Sequence, residues 1–171
     1  KLKNYANALT YVEKVKAIPN LPEFYKKEIA YYKGISHYNL KEYDKALPEL
    51  QNIAASLNNE QGAEAQYTIA KIYYDKKNLK QAEAECLKYN DLFPAYEYYL
   101  GKSYILLSDI YKTNNKLLQA KATLQSLVDN YSFDDDVLKE AKEKLQLILD
   151  SETQNSNLKL PSNSSILQFD K

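Results

Sequence analysis

The chain has 171 residues, 44% apolar and 27% charged, which suffices for one sizeable domain and is too hydrophobic for disorder throughout. Twenty-three lysines balance 23 acidic residues and arginine is absent, so both the basic footprint of a nucleic-acid binder and the bidentate reader of phosphate and guanine are missing. One Cys makes neither an internal disulfide nor a cysteine metal cluster, and no apolar run approaches the roughly 20 residues of a membrane-spanning helix.

In chain order, the first recognisable element is the hexapeptide KNYANA at 3–8, which returns as KEYDKA at 41–46, KNLKQA at 77–82 and NKLLQA at 115–120. Each copy is a polar pair, then Tyr or Leu, then two residues and an Ala. The closing residues Ala8, Ala46, Ala82 and Ala120 are 38, 36 and 38 positions apart, a period typical of stacked helix pairs. Because the chain opens at Lys1, without Met and inside this pattern, it is expected to be a piece of a longer protein.

A helical stretch precedes each complete copy: PEFYKKEIAYYKGISHY at 22–38, GAEAQYTIAKIYYD at 62–75 and AYEYYLGKSYILLSDIY at 95–111. Their apolar residues recur at three and four positions, as in Ile69, Ile72 and Tyr73 or Tyr104, Leu107 and Tyr111. A second helix follows each copy, as in ALPELQNIAASL and QAKATLQSLVDNY. With three Gly, five Pro and no strand-like alternation, sheet is not expected. A last amphipathic helix is predicted from about Asp135 to Asp150, closing the stack as terminal repeats require.

These residues resemble the tetratricopeptide repeat family, whose unit is a pair of antiparallel helices of 34 residues. The family places small residues where its helices cross, matched here by Gly34, Ala70 and Ser108 on the first helices and the pattern Ala on the second. Its turn-flanking aromatic matches Tyr5, Tyr43, Leu79 and Leu117, its first-helix Tyr matches Tyr73 and Tyr111, and its closing Pro matches Pro94. The resemblance implies an all-α, right-handed superhelical solenoid of antiparallel helix pairs over 1–150. That domain would hold a partial first unit, three full units and the closing helix, followed by a polar tail at 151–171.

The match departs in places. Ala30 and Lys33 stand where the family has Trp or Leu, His37 where it has Tyr, and a further small position holds Ile53, Tyr89 and Leu127. These bulky residues are expected to push neighbouring units apart or alter the superhelical turn. The 38-residue spacings carry four extra residues, about one helical turn, and are expected to lengthen a helix with its faces kept in register.

Candidates for chemistry are few. His37 is the only histidine and falls at a packing position; Cys86 falls at a core position of the second helix, where a buried small hydrophobe is favoured over a reactive thiol. Asp134, Asp135 and Asp136 could hold a cation, but helix capping and the dipole explain them more simply. No catalytic constellation, cofactor or metal is expected.

A binding surface remains. In the family the first helices line a concave groove, and the positions that face it carry over as Tyr31, Ile35 and Tyr38; Tyr67, Lys71 and Tyr74; Ile105, Asp109 and Lys112. Such a tyrosine-rich groove suits an extended segment or a helix of a protein partner. The same residues could equally form inter-repeat core. Family members that clamp a peptide's terminal carboxylate use Lys and Asn where this chain has Tyr31 and Ile35, which disfavours that specialisation.

The resemblance implies a non-enzymatic scaffold that binds protein or peptide. Two alternatives stay open: an accessory domain of a larger envelope enzyme or transporter, and a cell-wall glycan-binding module. Unequal repeats in a Lys- and Asn-rich chain look like the long repeat proteins of Gram-negative bacterial envelopes, so a periplasmic or envelope location is expected. The tail offers Leu158, Leu160, Ile166, Leu167 and Phe169 as apolar anchors, and Ile166 to Phe169 are expected to dock on the repeats of this or a neighbouring copy.

Overall fold

The computed structural model describes residues 4–158, with side chains to 154. The described residues form eight α-helices and no strand: α1 (Tyr5–Lys16), α2 (Glu23–Asn39), α3 (Tyr43–Ser56), α4 (Glu60–Asp75), α5 (Leu79–Leu92), α6 (Glu97–Thr113), α7 (Leu117–Asn130) and α8 (Asp136–Leu158). The fold is all-α. The docking expected of Ile166 to Phe169 lies outside the described residues.

The recurring hexapeptide is a helix stop followed by a helix start. Its first residue, Lys41, Lys77 or Asn115, has φ of 61°, 62° or 58°, the left-handed region. The next residue sends its N–H five positions back: Glu42 to the His37 carbonyl, Asn78 to Tyr73 and Lys116 to Tyr111, at 2.9, 2.9 and 2.8 Å. With the N–H groups of Lys41, Lys77 and Asn115 bonded to Tyr38, Tyr74 and Lys112, this is a Schellman closure that satisfies the last carbonyls of α2, α4 and α6. The second residue of the pair is the N-cap of the next helix, and Asn78 accepts from the Gln81 N–H at 3.3 Å. The polar pair is therefore the whole bend. Tyr43, Leu79 and Leu117 already begin α3, α5 and α7.

Four residues later the pattern Ala reaches a crossing too tight for anything larger. Ala46, Ala82 and Ala120 have no exposed surface. In the α2–α3 hairpin, a Cβ placed on Gly34 would lie 2.8 Å from Leu50 Cδ2, so the small residue admits Leu50 to the interface. Ala70 and Ser108 are buried at the corresponding points of α4 and α6. Ala8, on α1, is only half-buried.

Each helix packs on its sequence neighbours, and α2, α4, α6 and α8 also contact one another in series, whereas α3, α5 and α7 do not. The core runs as overlapping clusters. Leu50, Ile53, Ile69 and Ile72 join α3 to α4; Ala70, Cys86, Leu106 and Ile110 join α4, α5 and α6; Ile105, Leu124, Val137 and Ala141 join α6, α7 and α8. Tyr73 and Tyr111 each belong to two clusters and tie consecutive ones together. At about 1.5 to 3 kcal/mol for each fully buried Leu or Ile, these seams dominate the stability.

The 38-residue interval before Ala120 exceeds the 36-residue interval before Ala82 by one residue in the helix and one in the loop: α6 has 17 residues against 16 for α4, and the loop ahead of it is 93–96 against 57–59, while α3, α5 and α7 have 14 each. Loop and helix share the increment because the Schellman closure and the crossing Ala fix only the hairpin end. Helix α8 does not stop at the expected Asp150 but continues to Leu158. Polar residues sustain this extension: Lys121 on α7 donates to Glu152 at 2.6 Å, and Ser151 and Thr153 bond back to the carbonyls of Ile148 and Leu149.

The bulky residues at the third small position, Ile53, Tyr89 and Leu127, are all buried. Tyr89 keeps its phenol satisfied by donating to the Tyr96 carbonyl at 3.2 Å. Its ring meets Phe93 at 5.7 Å, so this position serves as an anchor for the loop at 93–96.

Candidate functional site

The face shared by α2, α4 and α6 is organised around one carboxylate. Glu64, near the start of α4, accepts a hydrogen bond from the Tyr31 phenol on α2 and interacts with the Tyr99 phenol on α6. Tyr99 in turn packs its ring 6.0 Å from that of Tyr67. One helix turn away, Gln61 donates to Glu28 at 2.8 Å across the same α2–α4 seam. Burial first, and then Glu64, push the Tyr31 and Tyr99 phenols well above the usual tyrosine range, and burial does the same for Tyr67. No cation pairs with Glu64 among the described residues.

The nine residues expected to line a groove fall into three groups. Tyr31, Tyr67, Lys71 and Tyr74 are half-buried on α2 and α4, with Lys71 in no ion pair among the described residues and the Lys77 ammonium 5.7 Å above the Tyr74 ring. Ile35 and Tyr38 pack against the cluster of Leu50 and Ile53, and burial followed by the charge of Asp75 raises the Tyr38 phenol. The α6 set divides. Ile105 is 4% exposed and packs with Ala120 and Leu124, so it belongs to the core and offers nothing to a partner. Asp109 is engaged by Lys144 of α8 through two hydrogen bonds of 2.7 and 2.9 Å, and Lys112 is exposed.

Sequence reasoning passed over Glu28, Glu64 and Tyr99. The available signal was spacing: Glu28 and Glu64 stand three residues before Tyr31 and Tyr67, hence on the same helix face. That Tyr99 joins them depends on how α6 lies against α4, which no local pattern encodes.

The other candidates resolve as structural groups. His37 is buried, with Nδ1 2.6 Å from Glu42 Oε2, which locks the bend; this hydrogen bond, then that from Lys45, holds the Glu42 carboxyl below its ordinary range. Cys86 is buried and its thiol is pushed up by burial, which suppresses the nucleophilic thiolate. Asp135 caps α8, accepting from the N–H groups of Val137 and Leu138 at 2.9 and 3.3 Å and from the Tyr131 phenol at 2.8 Å. Asp136 pairs with Lys102 at 3.3 Å. Among the described residues no group of three or more His, Cys, Asp or Glu is placed to hold a metal ion, and no helix is long and apolar enough to cross a membrane.

No family model matches the chain, and no curated protein matches it. Chemically, the face offers aromatic surface for apolar side chains, phenols and carboxylates for hydrogen bonds, and at Lys71 an ammonium in no ion pair among the described residues.

Proposed function

We propose that the chain is a non-enzymatic scaffold, built as a right-handed, tetratricopeptide-like solenoid, that binds a peptide segment or protein partner on the face of α2, α4 and α6. The serial contacts of α2, α4, α6 and α8, against none among α3, α5 and α7, support a stack curved toward the first helices. The observation that carries the functional reading is the set Tyr31, Tyr67, Lys71 and Tyr74. Large amphipathic rings stay half-exposed there, and a lysine without an ion-pair partner among the described residues sits between two of them. Tyrosines in such positions give contact area at low entropic cost, with a phenol available for hydrogen bonding.

A photocrosslinking amino acid at position 71 tests this in cell extract. A discrete adduct from position 71 that is absent from position 118, where Leu118 is 78% exposed on α7, is the expected result. The adduct should weaken in a Tyr67→Ala, Tyr74→Ala variant that retains its helicity. Equal adducts from both positions would remove the proposal.

A further inference from the structure

Beside this face, the loops ahead of α6 and α8 meet the start of α4 and line an open cavity of about 230 Å³. Five aromatic residues line it, among them Tyr98, Tyr99, Tyr131 and Phe133. These four stand in edge-to-face pairs, Tyr98 with Tyr99 at 5.2 Å and Tyr131 with Phe133 at 5.6 Å, and Phe133 is 52% exposed. The loop position is set by Tyr96, which also lines the cavity and donates to the Asn58 carbonyl at 2.9 Å, pinning the approach to α6 against the approach to α4.

The charges at this cavity have one sign. Glu60, Glu97 and Asp135 line it and no lysine does. Asp135 is committed to capping α8 and to Tyr131, but Glu60 and Glu97 make no hydrogen bond or ion pair among the described residues. One of these rings already meets an ammonium: Lys102 lies 5.1 Å from the Tyr98 centroid while paired with Asp136. Aromatic faces attract a cation through the ring quadrupole, and free carboxylates favour a cation that also carries N–H donors.

We infer that this cavity binds the ammonium of a lysine side chain presented by a protein partner. The rings would hold the methylene stem and face the charge, while Glu60 and Glu97 would accept its N–H bonds. This goes beyond the groove reading, because none of these residues belongs to the tyrosine set on α2 and α4. Glu60 and Glu97 also lie in the first turns of α4 and α6, where a carboxylate complements the helix dipole whatever the cavity does. The test therefore needs a variant outside the helices.

Nα-acetyl-lysine methylamide, titrated into the ¹⁵N-labelled chain, should shift the amides of Tyr98, Tyr99, Tyr131 and Phe133 in a saturable way. The norleucine analogue, of similar length without charge, should not. The dissociation constant should rise by about fivefold in Glu60→Gln with Glu97→Gln, and rise again at about 0.5 M salt. Phe133→Leu, outside the helices, should weaken binding comparably with the carboxylates intact. The inference is overturned if the norleucine analogue shifts the same amides equally, if the lysine shifts scatter over the acidic surface, or if tetramethylammonium binds as tightly and ignores the Gln variants. Since the probe needs no partner, its failure leaves crosslinking at position 71 untouched, and failure of that crosslinking leaves this cavity standing.

Discussion

The phenol of Tyr31 on α2 donates to the carboxylate of Glu64 on α4, joining two helices through residues 33 positions apart. The bond couples the stack to pH. Tyr31, Tyr67 and Tyr99 have folded-state pKa values raised by burial first, and at Tyr31 and Tyr99 then by Glu64. A pKa higher in the folded than in the unfolded chain means stability that is complete below the ordinary phenol value near 10 and lost as pH rises past it. Absorbance titration of the tyrosines should show a late-ionising class that merges with unfolding. Tyr31→Phe should cost about 1 kcal/mol in urea denaturation at pH 7 and shrink that class. Uniform ionisation of all tyrosines near 10 with the helices intact would contradict this.

Glycine substitutions should rank by what blocks the new methyl group. Ala in place of a helical Gly gains up to about 1 kcal/mol of propensity, against about 1 to 3 kcal/mol for overpacking. At Gly62 a Cβ would lie 1.9 Å from the Leu57 carbonyl oxygen, a backbone atom, so Gly62→Ala should be clearly destabilising. At Gly34 the obstacles are Leu50 Cδ2 and Cγ at 2.8 and 2.9 Å, side-chain atoms of a fully buried residue that can shift only a little, so Gly34→Ala should be destabilising but less so than Gly62→Ala. Thermal melts of both variants and of Gly101→Ala, blocked at 2.5 Å by Val137 Cγ1, should place Gly62 as the worst.

The bends invite a stabilising change. Lys77 is held at φ 62°, a conformation that costs a side-chain-bearing residue about 1 to 2 kcal/mol and glycine little. After the greater freedom of glycine in the unfolded chain is subtracted, Lys77→Gly should gain about 0.5 kcal/mol. Asn115→Gly should gain less, since Asn tolerates the left-handed region. A raised urea midpoint with unchanged slope is the expected readout. A lowered midpoint in both variants would show that the Schellman closures are not formed.

The crossing alanines should resist enlargement. Ala46→Leu, Ala82→Leu and Ala120→Leu each place a larger side chain where no exposed surface remains, and each should cost about 1 to 3 kcal/mol. Ala8→Leu, at the half-buried equivalent on α1, should cost less. Melting temperatures unchanged in all three interior variants would break the repeat phasing.

By itself, the sequence determined what depends on neighbours a few residues apart: helix periodicity and a recurring hexapeptide placed between paired helices. The crossing role of Ala46 came from the family resemblance, and the stop at Lys41 with the cap at Glu42 was visible only in the structure. Which side of each helix meets which neighbour was settled only in three dimensions. Ile105 occupies a position equivalent to Tyr31 and Tyr67, yet α8 closes over it with Val137 and Ala141 and makes it core. Glu64 gained its role because Tyr31 and Tyr99 arrive from helices on either side, and the ring-walled cavity exists because Tyr96 ties its loop to Asn58 across 38 residues. Contacts at that separation depend on the angle and offset at which whole helices pack, and those follow from the combined fit of many side chains rather than from any local pattern.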